Sequence, residues 1–153
     1  MRRQAHPNRA ATGELMAEGL TDDMRRFLEE RRFAVLATVN PDGAPQQTVM
    51  WYALDGDEIV MNTKRGRRKD RNLLRDPRVS VCVEDEQRYL TLTGSLSIDD
   101  DPERGQEVIR QLAVRYDGVE SADEQMKSFG QQERVTLRLK IAGIDAHGFE
   151  GGA

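Results

Sequence analysis

Six cations crowd into one short stretch of this chain: Lys64, Arg65, Arg67, Arg68, Lys69 and Arg71, with Asp70 as the single acid among them, in a protein of net charge −4. A strand-like run leads into the stretch, Gly66 breaks it, and a helix-like run follows. Cations beside a helix start suit an anionic ligand such as a phosphate, because first-turn N–H groups and charged side chains converge on it. A solvated basic turn accounts for the same composition about as well, since charge runs are usually surface. Two of the chain's four lysines, Lys64 and Lys69, sit here among its many arginines. A lysine is a compact point charge and an arginine a planar fork, and the two do different work at a phosphate, so the mixture is suggestive of one. Thr63 adds a hydroxyl. Trp51 and Tyr52, on the strand expected to pair with residues 59–63, could wall a flat ring, or equally could be core or subunit-interface aromatics.

Other chemistry is sparse. The histidines, His6 and His147, lie near opposite ends of the chain, and the single cysteine, Cys82, alternates with three valines and reads as a buried, inert thiol. That leaves no usual metal-ligand set and no intrachain disulfide. The serines lack a nucleophile-elbow context, and neither a phosphate-binding lysine loop nor a dinucleotide glycine fingerprint is present. The acids Asp99, Asp100, Asp101 and Glu103 read as helix N-terminal charge. No catalytic residue is identified, so any reaction would rest on a bound cofactor.

The elements that must position these residues follow from patterning. With 153 residues, 37% hydrophobic and 33% charged, and a mean hydropathy of −0.71, one soluble domain is expected. Apolar runs such as Phe33–Val39 are too short to span a bilayer, and the arginines near the N-terminus have no apolar segment behind them, so a cytoplasmic protein without membrane contact is expected. Net acidity argues against nucleic-acid binding. Residues 1–19 read as an arm, 20–147 as the folded domain, and 148–153 as a flexible tail. Within the domain, Thr21 caps a short helix to about Arg31, with Met24, Phe27 and Leu28 inward. Phe33–Val39, Ala44–Leu54 and Glu58–Thr63 form a meander around the turns Asn40–Gly43 and Asp55–Asp57. Arg68–Arg75 is a helix with Leu73 and Leu74 inward, ended by Asp76-Pro77. Strands follow at Arg78–Glu84 and Arg88–Ile98, with a bulge or close approach at Gly94. Pro102 opens an amphipathic helix. Residues 117–132 read as a loop with a helical turn near Met126 and Phe129, residues 133–144 as the clearest strand, and Asp145 onward as a frayed tail. The fold class is α+β, mainly antiparallel: a six-stranded barrel with peripheral helices.

Three stretches carry a resemblance: Phe33–Val39, then Asp42-Gly43-Ala44-Pro45-Gln46, then Thr63 through the Lys69-Asp70-Arg71-Asn72-Leu73-Leu74-Arg75-Asp76-Pro77-Arg78-Val79 run. Over residues 22–145 the chain resembles the pyridoxamine 5′-phosphate oxidase-like split β-barrel proteins of the FMN-binding type. Within them it looks most like the oxidoreductases that use coenzyme F-420, a deazaflavin. The resemblance implies a homodimer with a cofactor groove at the subunit interface. Thr63, Lys64, Arg67 and Lys69 match positions that hold the cofactor phosphate, and Arg71 and Asn72 continue that motif. The strand through Gln47, Val49 and Trp51 would run along the ring system, and Arg88 and Tyr89 would approach the cofactor of the partner subunit. The family's arginine-rich closing signature, with its tryptophan and final proline, is missing from the stretch Ile141–Phe149, which speaks against vitamin B6 oxidation. The function implied is hydride transfer from reduced coenzyme F-420 to a small unsaturated or conjugated acceptor. FMN as cofactor, or a non-catalytic flavin- or deazaflavin-binding protein, are the alternatives.

Overall fold

The computed structural model describes residues 19–149, so the expected arm and the end of the expected tail lie outside the described residues. Helix α1 (Asp22–Glu29) starts where the sequence places it. The Thr21 hydroxyl accepts the Met24 N–H at 3.2 Å, and Met24, Phe27 and Leu28 are buried. Strands β1 (Ala34–Val39), β2 (Pro45–Met50), β3 (Ala53–Asp55) and β4 (Glu58–Lys64) follow. Helix α2 (Arg68–Arg75), strands β5 (Arg78–Glu84) and β6 (Tyr89–Asp99), helices α3 (Pro102–Asp117) and α4 (Val119–Phe129), and strand β7 (Arg134–His147) complete the chain.

The seven strands form one antiparallel sheet in the order β2-β1-β5-β6-β7-β4-β3. The expected count of six is corrected because Ala44–Leu54 does not run as one strand. It breaks at Trp51-Tyr52, and its halves pair at opposite edges, β2 with β1 and β3 with β4. The break has a long-range cause. The Tyr52 N–H donates to the Tyr116 hydroxyl at 3.1 Å and the hydroxyl lies 3.2 Å from the Tyr52 carbonyl, so α3 supplies the partners a ladder would have supplied. Two residues therefore join the outermost strands, three Cα steps or roughly 11 Å at most. The sheet must coil to allow this, and because β2 and β3 share no ladder the barrel stays split.

Alternation sorts the strands into two faces. Leu36, Met61, Val81, Val83, Leu90, Leu92, Leu137 and Leu139 fill the barrel interior, closed at one end by α1 and by Phe149, whose ring meets Phe27 edge-on at 5.1 Å. Asp145–His147 belong to β7 rather than to a frayed tail. The bulge expected near Gly94 is present: Thr93 pairs with Gly143 but Gly94 with Ile141, so β7 carries the extra residue Ala142. A Cβ at Gly94 would lie 2.5 Å from the Lys140 carbonyl, so only glycine permits that approach.

Helix α3 caps itself through Asp101, whose carboxylate accepts the N–H groups of Glu103 and Arg104. Its Val108 and Leu112 cover Val60, with Trp51 and Ala53 against them. Residues 119–129, expected to be mostly loop, form α4. The signal was there: Val119, Ala122, Met126 and Phe129 fall at i, i+3, i+7 and i+10, diluted by seven polar neighbours. The amide of Gln106 pins the end of α4, donating to the carbonyls of Phe129 and Gln132 at 2.9 Å each. Leu74, expected inward, is 65% exposed, whereas Leu73 is 3% exposed.

Candidate functional site

The basic stretch separates into three parts. Arg65 is an internal strut. It pairs with Asp70 at 3.0 Å, with Asp100, and with Glu133 at 3.7 Å, and its N–H donates to the Glu133 carbonyl at 2.8 Å. Asp70, fully buried, reaches back from the first turn of α2 to accept the Gly66 N–H at 2.7 Å. Gly66 takes φ +89°, the left-handed region glycine reaches most readily, and so turns the chain from β4 into the helix. The acid in the run therefore shapes the loop and neutralises Arg65, not the other cations.

Arg68, Arg71 and Arg75 lie on one flank of α2 and, with Asn72, Asn40, Pro41 and Asp42, line an open recess of about 670 Å³. Asn72 is spoken for. Its amide donates to the Thr38 hydroxyl and to Asn40 Oδ1 at 3.1 Å each, tying α2 to the end of β1. Asn72 is thus a structural tie, and Arg71 faces a different recess from Arg67.

Arg67 faces the third region, a recess of about 220 Å³ lined by Val49, Met50, Trp51, Asn62, Ile109, Leu112, Phe129 and Arg134. Lys69 is 6% exposed, and burial together with the nearby charges of Arg67 and Arg134 lowers its pKa below the ordinary lysine value. No carboxylate pairs with Lys64, Arg67, Lys69 or Arg134 among the described residues. Trp51 is fixed as a wall by stacking on Tyr116, with centroids 5.2 Å apart and planes 8° from parallel. It thus packs on α3 and lines the recess.

The remaining expected residues fall elsewhere. Register puts Asn62, Lys64, Arg134 and Thr136 on one face of the β4–β7 ladder and Thr63 on the other, with Met61, Val135 and Leu137. The Thr63 hydroxyl is buried with no hydrogen-bond partner among the described residues, as is that of Thr136. Gln47 is exposed on β2, two residues from Val49 on the same face. Arg88 grips Asp85 through two nitrogens at 3.1 and 3.0 Å and lies over the rings of Phe27 and Phe149, and Tyr89 stacks on His147. These two do not meet the Arg67 recess within the chain. Cys82, expected to be buried, is half-buried.

Sequence reasoning overlooked Asn62, Phe129 and Arg134. Phe129 was hidden because α4 read as a loop. Arg134 was hidden because an arginine on an alternating strand reads as a solvent-facing position. The residues fit a phosphate: several donors, no competing carboxylate among the described residues, and mutual repulsion that a bound anion would relieve.

A family model for pyridoxamine 5′-phosphate oxidase matches residues 20–148. Among solved structures, a conserved hypothetical protein from Mycobacterium tuberculosis is 30% identical, with a TM-score of 0.72 over 84% of each chain. An F-420 reductase is 29% identical, with a TM-score of 0.67 over 82% of this chain and 98% of that one. A haem storage protein from Vibrio cholerae is 26% identical, with a TM-score of 0.67 over 88% of this chain and 99% of that one. The split, coiled sheet and the matched span lead to one conclusion: the chain belongs to the pyridoxamine 5′-phosphate oxidase family, with a resemblance that runs to its deazaflavin-using members.

Proposed function

We propose that this protein is an oxidoreductase that transfers a hydride from reduced coenzyme F-420 to a small unsaturated or conjugated organic acceptor. The observation that carries the reading is a recess walled by Trp51 and Val49 and lined by Arg67, with the buried Lys69 close to Arg67, neither cation having a carboxylate partner among the described residues. When bound, the deazaflavin supplies the hydride. The chain's own share is to neutralise the phosphate through Lys64, Arg67 and Lys69, to hold the ring against Trp51, and to keep water away from it. The likeness to the F-420 reductase supports this cofactor over FMN.

Two copies of the chain complete the site in this reading. One subunit's recess, about 220 Å³, falls below the roughly 300–1,000 Å³ of a typical small-molecule site. Val35, Ala37, Val49 and Cys82 share the outer face of β2, β1 and β5 by register and stay half-buried or exposed, an apolar surface suited to a second copy. Arg88 and Tyr89, remote from Arg67 within one subunit, would then serve the partner's groove.

Paired titration of the purified protein with coenzyme F-420 and with FMN, followed by absorbance and fluorescence, tests the cofactor. Tight F-420 binding with weak FMN binding is expected; the reverse would assign FMN. The likeness to a haem storage protein gives a non-catalytic binding role a specific footing. That role predicts that reduced F-420 is never oxidised by any member of a broad acceptor panel.

A further inference from the structure

Arg134 opens β7 with 5% exposure, yet its partners among the described residues are neutral. Its Nε donates to Asn62 Oδ1 and its Nη1 to Gln132 Oε1, each at 2.9 Å, and its guanidinium lies 5.0 Å from the centre of the Phe129 ring. Nη2 makes no hydrogen bond to them, although Arg134 lines the recess beside Arg67 and Trp51. A buried cation is ordinarily paired, because losing its water is costly. Here the neighbours add repulsion, and burial with the charge of Arg67 brings the pKa of Arg134 down to about 10.

The geometry points to Arg134 as a ligand for the anion this recess takes, its unused guanidinium edge holding a phosphate oxygen alongside Arg67 and Lys69. The assignment rests on the phosphate-bearing cofactor proposed above. Asn62 is the positioning residue. Its Oδ1 accepts from Arg134 while its Nδ2 donates to the Gly105 carbonyl at 2.9 Å, so the guanidinium is oriented from the backbone of α3. Gly105 makes that reach available. A Cβ there would lie 2.0 Å from the Arg134 carbonyl oxygen, so no other residue lets α3 approach β7 this closely. A lysine at 134 would keep the charge but lose the fork that satisfies Asn62, Gln132 and an anion together.

The test compares the full-length wild type with Arg134→Met and Arg134→Lys. Each is titrated with F-420, with FMN, and with the phosphate-free 8-hydroxy-5-deazariboflavin and riboflavin. Each is also melted in inorganic phosphate and in sodium chloride of equal ionic strength. The expected result is tenfold or greater weakening of the phosphate-bearing ligands in Arg134→Met, with phosphate-free ligands unchanged. Loss of the phosphate-specific rise in Tm should accompany it, with Arg134→Lys intermediate. Equal weakening of ligands with and without phosphate, or no weakening, would overturn the assignment. Should Arg134→Met not fold, the same difference read in Arg134→Lys decides. Wild type that binds neither cofactor but shows Arg134-dependent stabilisation by inorganic phosphate would sink the proposed function and uphold the anion site. Wild type that binds neither cofactor and shows no phosphate-specific rise in Tm would sink both.

Discussion

Lys69 holds a buried charge beside the two arginines that line the recess. It is buried, flanked by Arg67 and Arg134, and without a carboxylate partner among the described residues. Replacing it with alanine is expected to weaken cofactor binding about tenfold or more, about 1.4 kcal/mol per decade. Titration checks this, and unchanged affinity would remove Lys69 from the phosphate site. Its titration also has a definite sign. The folded-state pKa lies below the ordinary lysine value of 10.5, so between the two values the unfolded chain binds more protons than the folded one. Stability of the ligand-free protein from this group therefore rises with pH across that window. Thermal melts stepped toward pH about 10 should show the rise, and Lys69→Met should flatten it. Affinity for a phosphate-bearing ligand should move the other way, declining as Lys69 loses its proton, while a phosphate-free analogue shows no such decline.

At the scale of elements, α2 does two jobs from two flanks. Leu73 packs into the barrel while Leu74 points to solvent, so the inward face is narrower than a pair of adjacent leucines suggests. Leu73→Ala is expected to cost about 2–5 kcal/mol and Leu74→Ala under about 0.5 kcal/mol, read by denaturant unfolding. Equal losses at both would contradict the orientation of the helix. Helix α3 is the other critical element, since it closes the recess, interrupts the long strand through Tyr116 and touches β7 at Gly105. Gly105→Ala forces α3 outward and is expected to destabilise the fold by about 1–3 kcal/mol or more. It should also weaken phosphate-dependent binding, because Asn62 loses its anchor.

At the scale of the molecule, the sheet coils until its outermost strands are separated by two residues, and this bend builds the recess. It turns Trp51 from a strand residue into a wall between β2 and α3. The outer face carrying Val35, Ala37, Val49 and Cys82 is left for a second copy in the proposed reading. Light scattering should then give the mass of a dimer for the wild type. Val49→Arg, at a position 64% exposed in the subunit, should shift it toward monomer and weaken cofactor binding together. A monomeric wild type that still binds F-420 tightly would show that one subunit suffices.

What the sequence determined by itself was mostly local. Thr21 as a cap, the Asn40–Gly43 turn, the alternation of β5 and β7, the bulge at Gly94 and the Asp101-Pro102 helix start were all legible, because each depends on neighbours within a few residues. The basic run also offered an anion site as one of two readings, the other a solvated turn. It could not say which cations the fold would neutralise, because Arg65 meets Asp100 and Glu133 only after α3 and β7 are in place. The strand break at Trp51-Tyr52 and the burial of Arg134 under α3 and α4 were likewise tertiary decisions. In each, a polar group is satisfied or stranded by a residue distant in the chain: Tyr116 and Tyr52 are 64 residues apart, and Arg134 and Asn62 are 72 apart. Periodicity reports which face of an element is buried, but not what the rest of the chain brings against it.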